Sequence, residues 1–390
     1  MQRKLVRIAN AVLDLDSFVD LNRNRHMTAV DNGVLRLNSN EAVGDISPRV
    51  VESIRRYLDG APLNRYPDPN AAELRAAIAR YVNMPPEYIG CYAGAELAME
   101  HIFRTYLETG TELVVAGPCS PSVIICAMST GARVVDLEPK DVFNLTVEDV
   151  VNKISSRSRA VYLKTPNEYT GAVFSEAELV FLLAYAERTM IIIDEEFSEY
   201  SGSSVVDLTA RFPNLTILRT FANAFGLAGI KAAYIVSDPE NLEFINRASG
   251  DAAPDSIARI AAIAALEDID HTRQYAVEVN RSKKLIAGNL PETGYEFLMT
   301  RGNFFLLRVS DSRGAVNALR NDGFAVMDLS SVTSIDGYLR ITIGLPEQMD
   351  KLLLALSRMA ERYATGFNRS RMTTLDNRME SKSSDPVAAR

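Results

Sequence analysis

Few residues in this 390-residue chain have the type and spacing to do chemistry unaided. The three histidines, His26, His101 and His271, stand far apart, without the spacing of a metal site or a His-based triad. The three cysteines, Cys91, Cys119 and Cys126, are too few and too scattered for a disulfide framework and read as small apolar residues. The ionisable residues beside apolar runs carry more. Lys164 closes one such run, Asp194 closes another, and Glu168 follows the first. Arg340 lies within an otherwise apolar stretch. Each has two readings. Lys164 is a reactive amine or a solvated charge at a strand end. Asp194 serves a ligand or caps backbone amides. Glu168 is a base or an exposed carboxylate. Arg340 holds a ligand or makes an ion pair between domains.

These residues are positioned by an alternation of elements. Apolar runs bounded by turn residues predict strands at Glu112–Ala116, Ala132–Leu137, Ala160–Leu163, Met190–Asp194, Thr216–Phe221 and Ala232–Ser237. Helical patterns lie between several of them. Leu97–Leu107 is one, and Ser175–Arg188 is another, with Ser175 as its N-cap and Glu176 and Glu178 in its first turn. Strands alternating with helices predict a mostly parallel sheet covered on both faces, with ligands at the carboxyl ends of the strands. From Ser256 the pattern changes. Ile257–Leu290 reads as one long or broken helix. Strands follow at Tyr295–Met299, Phe304–Val309 and Tyr338–Ile343, with helices at Ser312–Asn321 and Glu347–Tyr363. Leu35–Asn38 is a strand candidate with no local partner, which suggests recruitment to this second part.

The length exceeds what one core supports, so two domains are expected. We divide the chain into an N-terminal arm (1–34), a large domain (61–255), a small domain (35–60 with 256–365) and a polar, disordered tail (366–390). With 42 basic and 50 acidic residues the net charge is −8, which disfavours nucleic acid and anionic membranes as partners. No apolar run approaches a membrane span and the first twenty residues lack a signal-peptide core, so a cytoplasmic protein is expected.

Six segments then fall into one register: Leu37-Asn38-Ser39-Asn40-Glu41, Arg65-Tyr66-Pro67-Asp68-Pro69, Thr165-Pro166-Asn167-Glu168-Tyr169-Thr170-Gly171, Asp194-Glu195-Glu196-Phe197, the stretch from Arg219 to Lys231, and Arg340-Ile341-Thr342-Ile343-Gly344. In this order the chain resembles the pyridoxal-phosphate aminotransferases of fold type I, nearest to the histidinol-phosphate aminotransferase branch, from about Leu35 to Tyr363. The resemblance implies an α/β, aspartate-aminotransferase-like fold: a mostly parallel central sheet in a large domain plus a smaller α+β domain.

The same resemblance implies a site, and this chain departs from it. The family's Schiff-base lysine falls on Asn223, whose amide can neither form an imine nor act as a base near neutral pH. The tyrosine that meets the cofactor's phenolic oxygen falls on Phe197, and the asparagine supporting that oxygen falls on Glu168, followed by Tyr169 where proline is usual. Pro118-Cys119-Ser120 lacks the aromatic that stacks on the pyridine ring. Ala222 replaces a phosphate-binding serine, and Lys231 replaces an arginine, keeping the charge without the bidentate fork. Asn40-Glu41-Ala42-Val43-Gly44 is a shortened loop without its tyrosine. A single engineered lysine replacement explains none of the other changes, so the pocket reads as rebuilt.

Other positions are kept. Asp194 stands where the family's aspartate pairs with the pyridine nitrogen. Tyr66 stands where a tyrosine reaches a phosphate across the dimer interface. Gly94, Ala95 and Glu96 open a helix at the phosphate cup, where amides and the helix dipole favour anions. Arg340 stands where an arginine clamps a substrate carboxylate. Asn40 belongs to the substrate side. The candidate catalytic positions are thus Asn223, Glu168 and Lys231. The cofactor-side positions are Asp194, Tyr66, Gly94, Ala95, Glu96 and Phe197, and the substrate-side positions are Arg340 and Asn40, with no metal. The function expected is cofactor-independent binding of, or chemistry on, a small amino-acid-like or phosphorylated carboxylate, in a homodimer. Two alternatives stand beside it: a non-catalytic subunit for a lysine-bearing homologue, and non-covalent binding of pyridoxal or pyridoxamine phosphate with residual activity.

Overall fold

The structure is a computed structural model that describes residues 33–60, 63–137, 141–248, 253–332 and 335–365, with positions 11 and 15. The expected tail 366–390 and nearly all of the arm 1–34 lie outside the described residues. Twelve described strands form two sheets. β1 (Leu35–Leu37) belongs to the second. The first holds β2 (Ile89–Tyr92), β3 (Glu112–Ala116), β4 (Arg133–Asp136), β5 (Ser158–Lys164), β6 (Met190–Asp194), β7 (Leu215–Thr220) and β8 (Ala233–Ser237), in the order β2-β8-β7-β6-β5-β3-β4. Only β8 runs against the rest, pairing antiparallel with β2 and β7. The mostly parallel sheet expected from the alternation is what forms.

β6 shows why this sheet is central. Met190-Ile191-Ile192-Ile193-Asp194 is buried along its whole length. A strand covered on both faces has no polar face, so a run of β-branched residues suits it where alternation would not. Burying each isoleucine side chain contributes about 1.5–3 kcal/mol. The helix Glu176–Tyr185 leading into it opens as the sequence predicts: Ser175 accepts from the Glu178 amide, and the Glu178 carboxylate accepts from the Ser175 amide.

The second sheet adds β9 (Phe297–Met299), β10 (Phe304–Arg308), β11 (Phe324–Asp328) and β12 (Tyr338–Thr342), in the order β1-β11-β12-β10-β9. The unpartnered N-terminal strand finds its place here, parallel to β11. The long helical stretch is broken at Asp268 into Ser256–Glu267 and Ile269–Asn289. Helix Pro48–Leu58 and helix Ser256–Glu267, both expected with the small domain, place Val50, Ala261, Ala262, Ala264 and Ala265 in the core of the seven-stranded sheet. Their joint is tied by polar contacts. Ser47 caps helix Pro48–Leu58 and donates its hydroxyl to Asp268 at 2.5 Å. Arg49 pairs with Glu267 at 2.7 Å, and His271 Nε2 lies 3.0 Å from the Asp45 carbonyl. No described helix is long and apolar enough to cross a membrane.

Candidate functional site

The carboxyl ends of β5 and β6 build the centre of the site. Their parallel register sets Lys164 directly opposite Asp194. Lys164 Nζ lies 3.2 Å from Asp194 Oδ2, 2.9 Å from Glu196 Oε2 and 3.6 Å from Glu168 Oε2. The side chain is only 6% exposed. Lys164 is therefore not a solvated strand-end charge: a buried ammonium with three carboxylates around it is held by mutual attraction in a poorly screened place. Burial by itself would favour the neutral amine. Asp194, Glu168 and Glu196 together overcome that and push the lysine above its ordinary range. It stays protonated and is no nucleophile at neutral pH.

Asp194 is engaged through both oxygens. Oδ2 also accepts from the Tyr162 hydroxyl at 2.7 Å, and Oδ1 accepts from the Glu196 amide at 3.1 Å. Burial, and then the neighbouring carboxylates, hold the Tyr162 phenol protonated well above its usual range. Glu196 is the group that reaches solvent, with its side chain 20% exposed. Burial raises its carboxyl above the ordinary value, Lys164 lowers it, and repulsion from Asp194 and Glu168 raises it again.

Glu168 is buried, not the exposed carboxylate of the alternative reading. Its loop is fastened by Asn167, whose Oδ1 accepts from the amides of Tyr169 and Thr170 while its Nδ2 donates to the Pro118 carbonyl. Gly171 closes the loop at φ +72° against Thr300, a position where a side chain would collide.

Arg340 lies on β12, in the other sheet, and is 1% exposed. Its guanidinium donates to the Glu168 carbonyl at 2.9 Å and to the Asn38 carbonyl at 2.9 Å, with the rings of Tyr169 and Phe304 each 5.8 Å away. It joins β12 to the loop after β5 and to the segment after β1. Asn40 extends this tie. Its amide donates to Thr342 Oγ1 at 3.0 Å, its Oδ1 accepts from that hydroxyl, and its carbonyl accepts from Asn303. Its φ of +55° is one that asparagine tolerates better than most residues. Phe197 is fully buried and packs on Phe304, with ring centroids 5.7 Å apart.

Asn223 lies in the turn after β7. That turn is braced by bonds between the Phe221 amide and the Ala232 carbonyl and between the Leu227 amide and the Phe221 carbonyl. The rings of Phe221 and Phe225 sit 5.0 Å apart beneath it. Asn223 is buried, and its Nδ2 has no hydrogen-bond partner among the described residues.

Gly94 adopts φ +102° and opens helix Ala95–Tyr106 beside Lys231. Lys231 Nζ lies 3.8 Å from Glu96, but the lysine side chain is 73% exposed, so the pair is weak. The structure thus gathers Gly94, Ala95, Glu96 and Lys231 at one helix N-terminus. Tyr66 stands away from all of these, 97% exposed.

Glu196 was not among the sequence-derived candidates. The signal was the run Asp194-Glu195-Glu196 directly after an apolar strand. Glu195 faces elsewhere, into a buried pair with Arg219 at 2.8 Å.

Comparison with known proteins gives a consistent result. The model of the family described as aminotransferase class I and II matches residues 32–356. A histidinol-phosphate aminotransferase from Roseiflexus castenholzii is 30% identical over 337 residues, covering 84% of this chain and 90% of that protein. A dihydroxyacetone phosphate transaminase from Campylobacter jejuni is 30% identical over 343 residues, covering 86% and 93%. Among solved structures, histidinol-phosphate aminotransferase from Sinorhizobium meliloti in complex with pyridoxal-5'-phosphate aligns with a TM-score of 0.79 at 23% identity, covering 93% of this chain and 99% of that one. Aspartate aminotransferase from Thermus thermophilus with maleate aligns with a TM-score of 0.73 at 22% identity, covering 92% and 100%. These similarities bear out the expected aspartate-aminotransferase-like fold.

Proposed function

Since this chain belongs to the aminotransferase class I and II family, we propose that it uses the family's pocket to bind a small amino-acid-like or phosphorylated carboxylate without a covalently held cofactor. The observation that carries this is Asn223. An amide with an unpartnered donor occupies the turn after β7, at the position of the Schiff-base lysine in the resembling segment. Pyridoxal phosphate, the group the family implies, supplies an electron sink when bound. The residues present do not fit it in the expected pose. Asp194 is engaged through both oxygens, Phe197 offers no hydroxyl, and Asn223 offers no amine.

The chain's own residues suit other work. Arg340 puts a positive charge at the seam between the sheets, which favours a carboxylate. The amides at Gly94 and Ala95, with Lys231 beside them, suit a phosphate. Both curated relatives named above carry a phosphate compound in their names, which supports a phosphorylated ligand. Glu196, with its raised carboxyl, holds or moves a proton at the solvent-facing edge, and Glu168 lies behind Lys164. The assembly in this reading is a homodimer, whose second copy covers Tyr66, Leu63 and Leu58, large apolar side chains left exposed on one chain.

Titration calorimetry against amino acids, keto acids and phosphorylated amines tests the reading, with light scattering for the particle mass. Saturable binding by a dimer, at equal strength with and without added pyridoxal phosphate, supports it. Absence of binding across the panel removes it, and so does a visible imine band formed with pyridoxal phosphate.

A further inference from the structure

In the proposed binding function one buried group, Lys164, has no task. Lys164 is not the amine of a displaced Schiff base, because three carboxylates keep it charged. It is not a surface charge either. A buried ammonium is costly unless something requires it, and here it pairs with Asp194, the residue that the family resemblance assigns to a ring nitrogen.

We infer that Lys164 is a built-in cation that takes a bound ring nitrogen's place at Asp194 and so excludes pyridoxal phosphate from the pocket. The geometry supports this at each contact. A ring N–H donor to Asp194 needs an open lone pair on a carboxylate oxygen at about 2.8 Å, and each oxygen offers two. Oδ2 has both of its lone pairs taken, by the Tyr162 hydroxyl at 2.7 Å and the Lys164 ammonium at 3.2 Å, and Oδ1 has one taken, by the Glu196 amide at 3.1 Å. Lys164 cannot simply turn aside, because Glu196 and Glu168 hold it from two other directions. A cationic ring would also meet a fixed positive charge within contact distance. The inference rests on the reading of the Asp194 pocket given above, but it adds a specificity-determining residue: loss of the imine-forming amine and loss of ring affinity are separate changes, and Lys164 carries the second.

The test is equilibrium dialysis of the full chain against pyridoxamine phosphate, which needs no imine, and against its analogue with carbon in place of the ring nitrogen. The wild-type chain is expected to bind neither, or both equally. Lys164→Gln is expected to bind pyridoxamine phosphate at least tenfold more tightly than wild type, and adding Asp194→Asn abolishes the gain. Lys164→Gln alone leaves three carboxylates together and is at risk of unfolding. The double variant Lys164→Gln with Glu196→Gln removes one charge of each sign and keeps the cluster's net charge. Circular dichroism and thermal melting report whether each variant is folded. A folded variant with no gain overturns the inference, as does a wild-type chain that prefers the nitrogen-bearing ring. Calorimetric failure of the carboxylate panel would overturn the proposed function without touching these dialysis results.

Discussion

Replacing Arg340 by methionine separates two tasks that its position suggests, holding a ligand and holding the two sheets together. The side chain is buried and donates one bond of 2.9 Å to the Glu168 carbonyl and one of 2.9 Å to the Asn38 carbonyl. Methionine fills much of the volume and keeps contact with Tyr169 and Phe304, so the change falls mainly on the two bonds. A hydrogen bond from a charged donor contributes about 1.5–3 kcal/mol, so losing both costs about 3–6 kcal/mol in the absence of any ligand. Arg340→Lys keeps the charge and one donor direction, and should cost about half as much. Urea unfolding followed by circular dichroism reads the loss from the transition midpoint at fixed slope. A loss below about 1 kcal/mol for Arg340→Met, or equal losses for the two variants, would show that the bonds do not brace the seam. Arg340 would then be held for a ligand alone.

Other outcomes follow from neighbouring features. Burial raises the Glu196 carboxyl, so the folded state keeps a proton that the unfolded chain has released above about pH 4.5. Stability should therefore fall as pH rises through that raised range, and Glu196→Gln should flatten the slope in urea melts taken across pH. Gly171→Ala puts a methyl group into Thr300 at a left-handed φ and should cost about 2–4 kcal/mol, read as a lowered urea midpoint. Asn223→Ala removes a buried donor that makes no bond. The relief offsets the small cavity, and stability should stay within about 1 kcal/mol of wild type. A loss above about 2 kcal/mol would mean that this amide is bonded in solution.

The strands were legible where β-branched residues ran without interruption, as in β6, whose boundaries match the expectation. β2 was missed because Ile89-Gly90-Cys91-Tyr92 is short and has a glycine inside it, which removes the apolar signature. β11 is not among the expected strands: Phe324-Ala325-Val326-Met327-Asp328 is short and follows helix Ser312–Asn321 after only Asp322 and Gly323. The break at Asp268 was left open because local pattern cannot show a polar tie to Ser47. Positions in the site followed from motif register, but contacts did not. Lys164 and Asp194 meet because two strands pair in register, a fact of sheet order. Arg340 reads as a lone cation in an apolar strand, and only its long-range carbonyl partners show that the fold itself uses the charge.

The joint between Ser47 and Asp268 bears on how the molecule comes apart. Residues far apart in sequence share one hydroxyl–carboxylate bond, one arginine–glutamate pair and one imidazole–carbonyl contact. The first described helix and the break in the long helical stretch therefore cannot fray independently. Amide protons near Val50 and near Ala265 should exchange together, as one opening event, and a protease that nicks one segment should find the other exposed at the same moment.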